Sequence, residues 1–167
     1  MRGWIPLLVL LAIGSAPAAA AAALTPFGLG PLKIGMREAD AAKRLGLHIA
    51  ADDGANSFDC RVDEIPRYPG LYAMAERGVI TRITIGEPNR LRTDRGLGIG
   101  SMEADVRRAY GRTLKIATAA YDDEPAHDLT FWIAGKKRGI LYEPDQQGRV
   151  TFIRAGGSSI QYVEGCL

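Results

Sequence analysis

The most enzyme-like cluster is one stretch, Tyr121-Asp122-Asp123-Glu124-Pro125-Ala126-His127-Asp128, with four carboxylates and an imidazole in eight residues. Oxygen ligands at that density suit Ca²⁺, and an imidazole beside a carboxylate suits proton transfer, so a metal-dependent hydrolase built on Asp122 to Asp128 is one reading. The spacing is not that of a calcium loop, because no Asp-x-Asp-x-Asp-Gly run with a distal Glu is present. The reading preferred is a solvated acidic loop ahead of a strand, with no metal, no cofactor and no catalytic residue assigned. His48, the other histidine, ends a helical pattern, where its cation suits the helix dipole. No Gly-x-Ser-x-Gly, His-Glu-x-x-His or phosphate loop occurs, so conventional hydrolase chemistry has no visible carrier.

A second group is cationic and aromatic. Arg82, Arg90, Arg92, Arg95, Arg107, Arg108 and Arg112 either form a patch for an anionic glycan, lipid headgroup or acidic partner, or belong to solvated faces. Phe131 and Trp132 must point to opposite sides of one strand. Burial in the core is the default reading of both Trp132 and Tyr142; if they flank each other on an open sheet face, they offer a protein or sugar contact. Trp132, Tyr142, Arg90, Arg92 and Arg95 are therefore the binding candidates.

The elements that position these groups follow from a phrase used twice. Leu32-Lys33-Ile34-Gly35-Met36-Arg37-Glu38-Ala39-Asp40 runs on to Leu45-Gly46, and Leu97-Gly98-Ile99-Gly100-Ser101-Met102-Glu103-Ala104-Asp105 runs on to Tyr110-Gly111, at an offset of 65 residues. Such self-similarity predicts two copies of one supersecondary unit. It also explains Gly96-x-Gly98-x-Gly100 better than a dinucleotide fingerprint does. Gly46 and Gly111 sit where the helix after each phrase closes. Each helix is short and amphipathic: Ala41, Ala42 and Leu45 in the first, Met102, Val106, Ala109 and Tyr110 in the second, with Ser101 as N-cap.

Alternating patterns predict strands at Phe58 to Val62, Leu71 to Glu76, Val79 to Ile85, Leu114 to Ala117, Leu129 to Ala134, Ile140 to Glu143, Val150 to Arg154 and Ser159 to Val163. In the third of these, Val79, Thr81, Ile83 and Ile85 share one face and Arg82 and Thr84 the other. The fold class expected is α+β: two tandem units, each a short helix followed by a three- to four-stranded antiparallel sheet, over residues 24–88 and 89–167.

Residues 1–23 read as a signal peptide: Arg2, a short apolar run from Ile5 to Ile13, then small residues offering Ala-x-Ala. The run is too short to span a bilayer, so the mature chain of about 145 residues has no transmembrane segment and is periplasmic or secreted. With 21 basic and 19 acidic side chains, nothing calls for nucleic acid as a partner. In an exported chain the pair Cys60 and Cys166 reads as a disulfide rather than a zinc site. Closing a loop of about a hundred residues contributes roughly 4 to 5 kcal/mol in chain-entropy terms, and it ties the last strand to the first half.

The Ile-Gly-Met phrase, its helix and the closing Leu-Gly or Tyr-Gly resemble the opening of the SmpA/OmlA-type outer-membrane assembly lipoproteins, and the duplicated helix-then-sheet unit resembles the beta-lactamase inhibitory protein fold. Arg37 and Met102 stand where the lipoproteins usually carry a capping Thr, and no cysteine follows the leader for acylation. On the matching positions the resemblance implies a scaffold role: Gly35 and Gly100 for the turn into the helix, Gly46 and Gly111 for its end. Both relatives bind proteins. The resemblance implies a non-catalytic binding module for another envelope or secreted protein, with a small-ligand or glycan-binding module as the alternative.

Overall fold

The computed structural model describes residues 22–46, 60–119, 127–133, 135, 137–163 and 165–166. Nearly all of the leader, His48 and residues 121–126 of the acidic stretch lie outside the described residues.

Glycine and proline break the stretch after Leu24 into three two-residue strands, β1 (Leu24–Thr25), β2 (Gly28–Leu29) and β3 (Leu32–Lys33), which form a small antiparallel sheet. Helix α1 (Glu38–Leu45) buries Ala41 and Ala42; Glu38 and Asp40 in its first turn and Lys43 and Arg44 in its last complement its dipole. Gly46 ends it in the left-handed conformation, at φ 65°. Strands β4 (Cys60–Glu64), β5 (Leu71–Glu76) and β6 (Val79–Ile85) follow. Arg77 and Gly78 both have positive φ, the tight turn that matches the twist of a hairpin.

Helix α2 (Glu103–Tyr110) buries Val106 and Tyr110. Its N-cap is Met102, whose amide donates to the Asp105 carboxylate, whereas Ser101, the expected cap, accepts instead from the Gly98 amide. A 3₁₀ turn (Gly111–Thr113) leads to β7 (Leu114–Thr118), β8 (His127–Trp132), β9 (Gly139–Pro144) and β10 (Val150–Gly156). The two helices start against strands in the same way. Gly35 N donates to Ile80 O at 2.7 Å and Glu38 N to Gly78 O at 2.8 Å; Gly100 N donates to Val150 O at 2.8 Å and Glu103 N to Gly148 O at 2.7 Å.

The expected fold class is corrected at the level of the sheet. Strands β4 to β10 form one seven-stranded antiparallel sheet in the order β4-β5-β6-β10-β9-β8-β7, so the described chain is mostly β with two short helices, not two tandem helix-plus-sheet units. The reason is the joint between β6 and β10, which pairs Ile85 with Ile153 and Ile83 with Ala155, all fully buried. Left apart, each of these strands would expose an unpaired edge beside apolar side chains.

One sheet face carries the main core: Ile83, Ile85, Leu129, Ile140, Tyr142 and Ile153, covered by Val106, Ala41 and Leu24 from the helices and the small sheet. Burying each large apolar side chain contributes about 1.5 to 3 kcal/mol. The simple alternation expected in β6 is corrected by a bulge. The pairing with β5 slips between Met74 and Ala75, so Ile80 joins Ile83 and Ile85 inside while Val79 and Thr81 are only half-buried.

The other face is covered in part by the C-terminal segment. The strand expected at Ser159 to Val163 is instead a 3₁₀ turn (Ser158–Gln161) that buries Ser159 and Ile160. Arg82 lies beneath it, 5 % exposed, and donates to the carbonyls of Ser159 at 3.0 Å and Tyr162 at 3.3 Å. The backbone bonds of this segment are local instead of being shared with a neighbouring strand: Ile160 N donates to Gly157 O at 3.3 Å and Tyr162 N to Ser159 O at 3.2 Å. The Cys60–Cys166 disulfide, Cα atoms 5.5 Å apart across 106 residues of sequence, holds the end of this segment to β4.

Candidate functional site

Two Pro/Gly turns, one before β5 and one after β6, are drawn together to make a cleft. Gly86 N donates to Gly70 O at 2.8 Å, and Asn89 Nδ2 donates to Pro69 O at 2.9 Å while its Oδ1 accepts from Leu91 N at 2.9 Å. Gly70 N donates to the Glu64 carboxylate at 2.8 Å. Gly70 sits at φ +74°, and a Cβ there would lie 2.3 Å from Gly86 O, so the approach of the two turns requires glycine.

Two adjoining hollows, of about 530 and 430 Å³, open between these walls. Arg92, Gly98 and Ile99 line the first, Arg67, Tyr68 and Pro69 the second, and Pro88, Asn89, Arg90 and Leu91 line both. Tyr68 is 48 % exposed. Arg67 and Arg90 are exposed, and neither side chain has a hydrogen bond or ion pair among the described residues. Arg92 Nη1 donates to Gly96 O at 2.7 Å, which orients its guanidinium. Glu87 is the one carboxylate among the lining residues.

The loop that carries Arg90 and Arg92 is supported from inside. Leu24 N donates to Arg92 O at 2.9 Å, and Thr93 Oγ1 accepts from Leu97 N and from the Tyr142 hydroxyl, both at 3.3 Å. The hydroxyls of Tyr142 and Tyr110 share a hydrogen bond of 2.9 Å. Burial pushes the titration of both phenols upward, so they stay neutral and keep their protons for these bonds. Arg95 is drawn onto α2: it donates to Ala109 O at 3.1 Å, and its guanidinium lies 5.1 Å from the centre of the Tyr110 ring.

The structure thus divides the residues singled out in the sequence. Arg90 and Arg92 line the cleft; Arg95 does not. Tyr142 is fully buried on the core face, so its expected role as a surface contact is corrected to one of support. Trp132 is half-buried on the opposite face, beside Gly139, where a Cβ would lie 2.7 Å from its ring, so the two aromatics do not flank each other. Phe131 faces the core and stacks on Tyr110 at 4.7 Å. Arg82 is buried on the far face, and Arg107 and Arg108 pair with Glu103 and Asp105 on α2, so the seven arginines make no single patch.

Within the acidic stretch, His127 Nδ1 lies 3.6 Å from the Glu103 carboxylate. Among the described residues no three His, Cys, Asp or Glu side chains are placed to hold a metal ion. Arg67, Tyr68 and Asn89 were not singled out in the sequence. The signal was present in Tyr68-Pro69-Gly70 and Glu87-Pro88-Asn89, two rigid turns that ended strands without showing that they meet.

Fold and site together define a mostly β protein with a rigid cleft that carries arginines and a tyrosine. Compared with protein-family models, curated proteins and solved structures, the chain matches none.

Proposed function

We propose that this is an extracytoplasmic, non-catalytic binding protein that holds another envelope or secreted protein at the cleft between residues 67–70 and 86–92. The observation that carries the reading is a cleft built in advance, with the guanidiniums of Arg67 and Arg90 unpaired among the described residues and beside the exposed ring of Tyr68. Arginine and tyrosine are the side chains that most often anchor protein interfaces, and a fixed cleft spares the ordering cost of binding. The Cys60–Cys166 disulfide supports a location outside the cytoplasm, as does the leader-like beginning of the chain. Among the described residues no helix is long and apolar enough to cross a membrane.

The test is a pull-down from envelope extract with the oxidised protein beside a Tyr68→Ala/Arg90→Ala variant whose folding is checked by circular dichroism. A saturable protein partner recovered by the wild type and lost by the variant is the expected result. Equal recovery by the two, or no partner for either, counts against the reading.

A further inference from the structure

We infer that the occupant of this cleft is an acidic segment of polypeptide in an extended conformation; the inference rests on the binding reading above. Charge is the first argument. Among the lining residues Arg67, Arg90 and Arg92 outnumber one carboxylate, Glu87, and the Glu64 carboxylate behind the wall is engaged by Gly70 N, whereas the whole chain carries a formal charge of only +2. The basic character is therefore local. Guanidiniums in an exposed cleft, two of them without a partner among the described residues, match carboxylates, which they bind in a planar, two-pronged geometry.

Shape is the second argument. The two hollows share Pro88 to Leu91 and are open to solvent, so they run on from one another along the surface. A small ligand is bound by enclosure, with most of its surface buried. An open run suits a chain that lies across it. Its lining supplies the rings of Tyr68, Pro69 and Pro88, the kind of surface on which an extended or polyproline-type backbone packs. Asn89, bonded to both walls, holds that lining in place before any ligand arrives.

The experiment is fluorescence anisotropy on the oxidised, exported protein with a fluorescein-labelled peptide of alternating Glu and Pro. A peptide with Gln in place of Glu and a heparin oligosaccharide are measured alongside. The Glu peptide is expected to bind saturably, at least about tenfold more tightly than the Gln peptide, and to weaken as salt is raised. Arg90→Gln should weaken it about tenfold and Arg90→Glu abolish it, while the exposed Arg112→Gln on the 3₁₀ turn after α2 should leave it unchanged.

Equal binding of the Glu and Gln peptides, or indifference to Arg90→Glu, overturns the inference. So does binding of heparin without binding of the Glu peptide, which would make the ligand a glycan. If the pull-down partner is lost with Tyr68→Ala alone but kept with Arg90→Glu, the acidic-segment inference falls while the binding reading stands. If no protein partner depends on either residue, the binding reading itself falls.

Discussion

Tyr142 shows how one side chain serves a site that it never touches. Its hydroxyl, fully buried, joins Tyr110 to Thr93, and Thr93 Oγ1 in turn holds the amide of Leu97 in the loop behind Arg92. Tyr142→Phe keeps the ring and removes this link, leaving the Tyr110 hydroxyl without its partner at 2.9 Å. Urea unfolding should show a loss of about 1 to 3 kcal/mol, the cost of a buried hydrogen-bonding group left unpaired. The hydrophobic pattern of β9 indicated a strand, but whether Tyr142 looks inward or outward depends on which neighbours pair with it. Here they are Leu129 and Ile153, both core residues.

At the scale of elements, the segment after β10 is held as much by charge as by apolar contact. Arg82 and Arg154 both donate to the Tyr162 carbonyl, and Glu143 accepts from Arg154 Nη2 at 2.9 Å. Burial raises the Glu143 carboxyl above its ordinary value of 4.5, against the lowering effect of Arg154. An acid whose value is raised binds its proton more readily in the folded state. Its contribution to stability is therefore complete below about pH 4.5 and is lost as pH rises through the raised value. Glu143→Gln removes that titration. Stability measured by urea unfolding across the acid range should then lack the decline above pH 4.5 that Glu143 causes, whatever constant offset the lost Arg154 contact adds. A variant curve parallel to that of the wild type would refute the assignment.

At the scale of the molecule, one strand pair decides the architecture. Gly156 lies opposite Arg82 in the β6–β10 joint, and a Cβ there would lie 2.2 Å from Thr81 O. Gly156→Val should separate the two halves of the sheet and cost more than about 4 kcal/mol, seen as loss of the cooperative thermal transition. The disulfide acts at the same scale. Replacing Cys60 and Cys166 by serine should cost about 4 kcal/mol and make residues 157–166 sensitive to limited proteolysis, since the loop it closes spans 106 residues. Unchanged stability would mean that the guanidinium contacts of Arg82 and Arg154 suffice to hold the segment.

The sequence by itself determined the local elements of this protein. The bounds of β5 and β6 follow from alternation and from Arg77-Gly78, and the sites of α1 and α2 from the spacing of Ala41 with Ala42 and of Val106 with Tyr110. It also indicated the Cys60–Cys166 pair, because the two cysteines of a chain that reads as exported have one intramolecular arrangement to adopt. These are properties of neighbours along the chain. What only the tertiary structure decided is everything that depends on neighbours in space. The merging of the strands into one sheet, the bulge that turns Ile80 inward, the 3₁₀ turn in place of a last strand, and the meeting of Pro69 with Asn89 are all of this kind. Each rests on a contact between distant residues, whose partners no periodicity along the chain specifies.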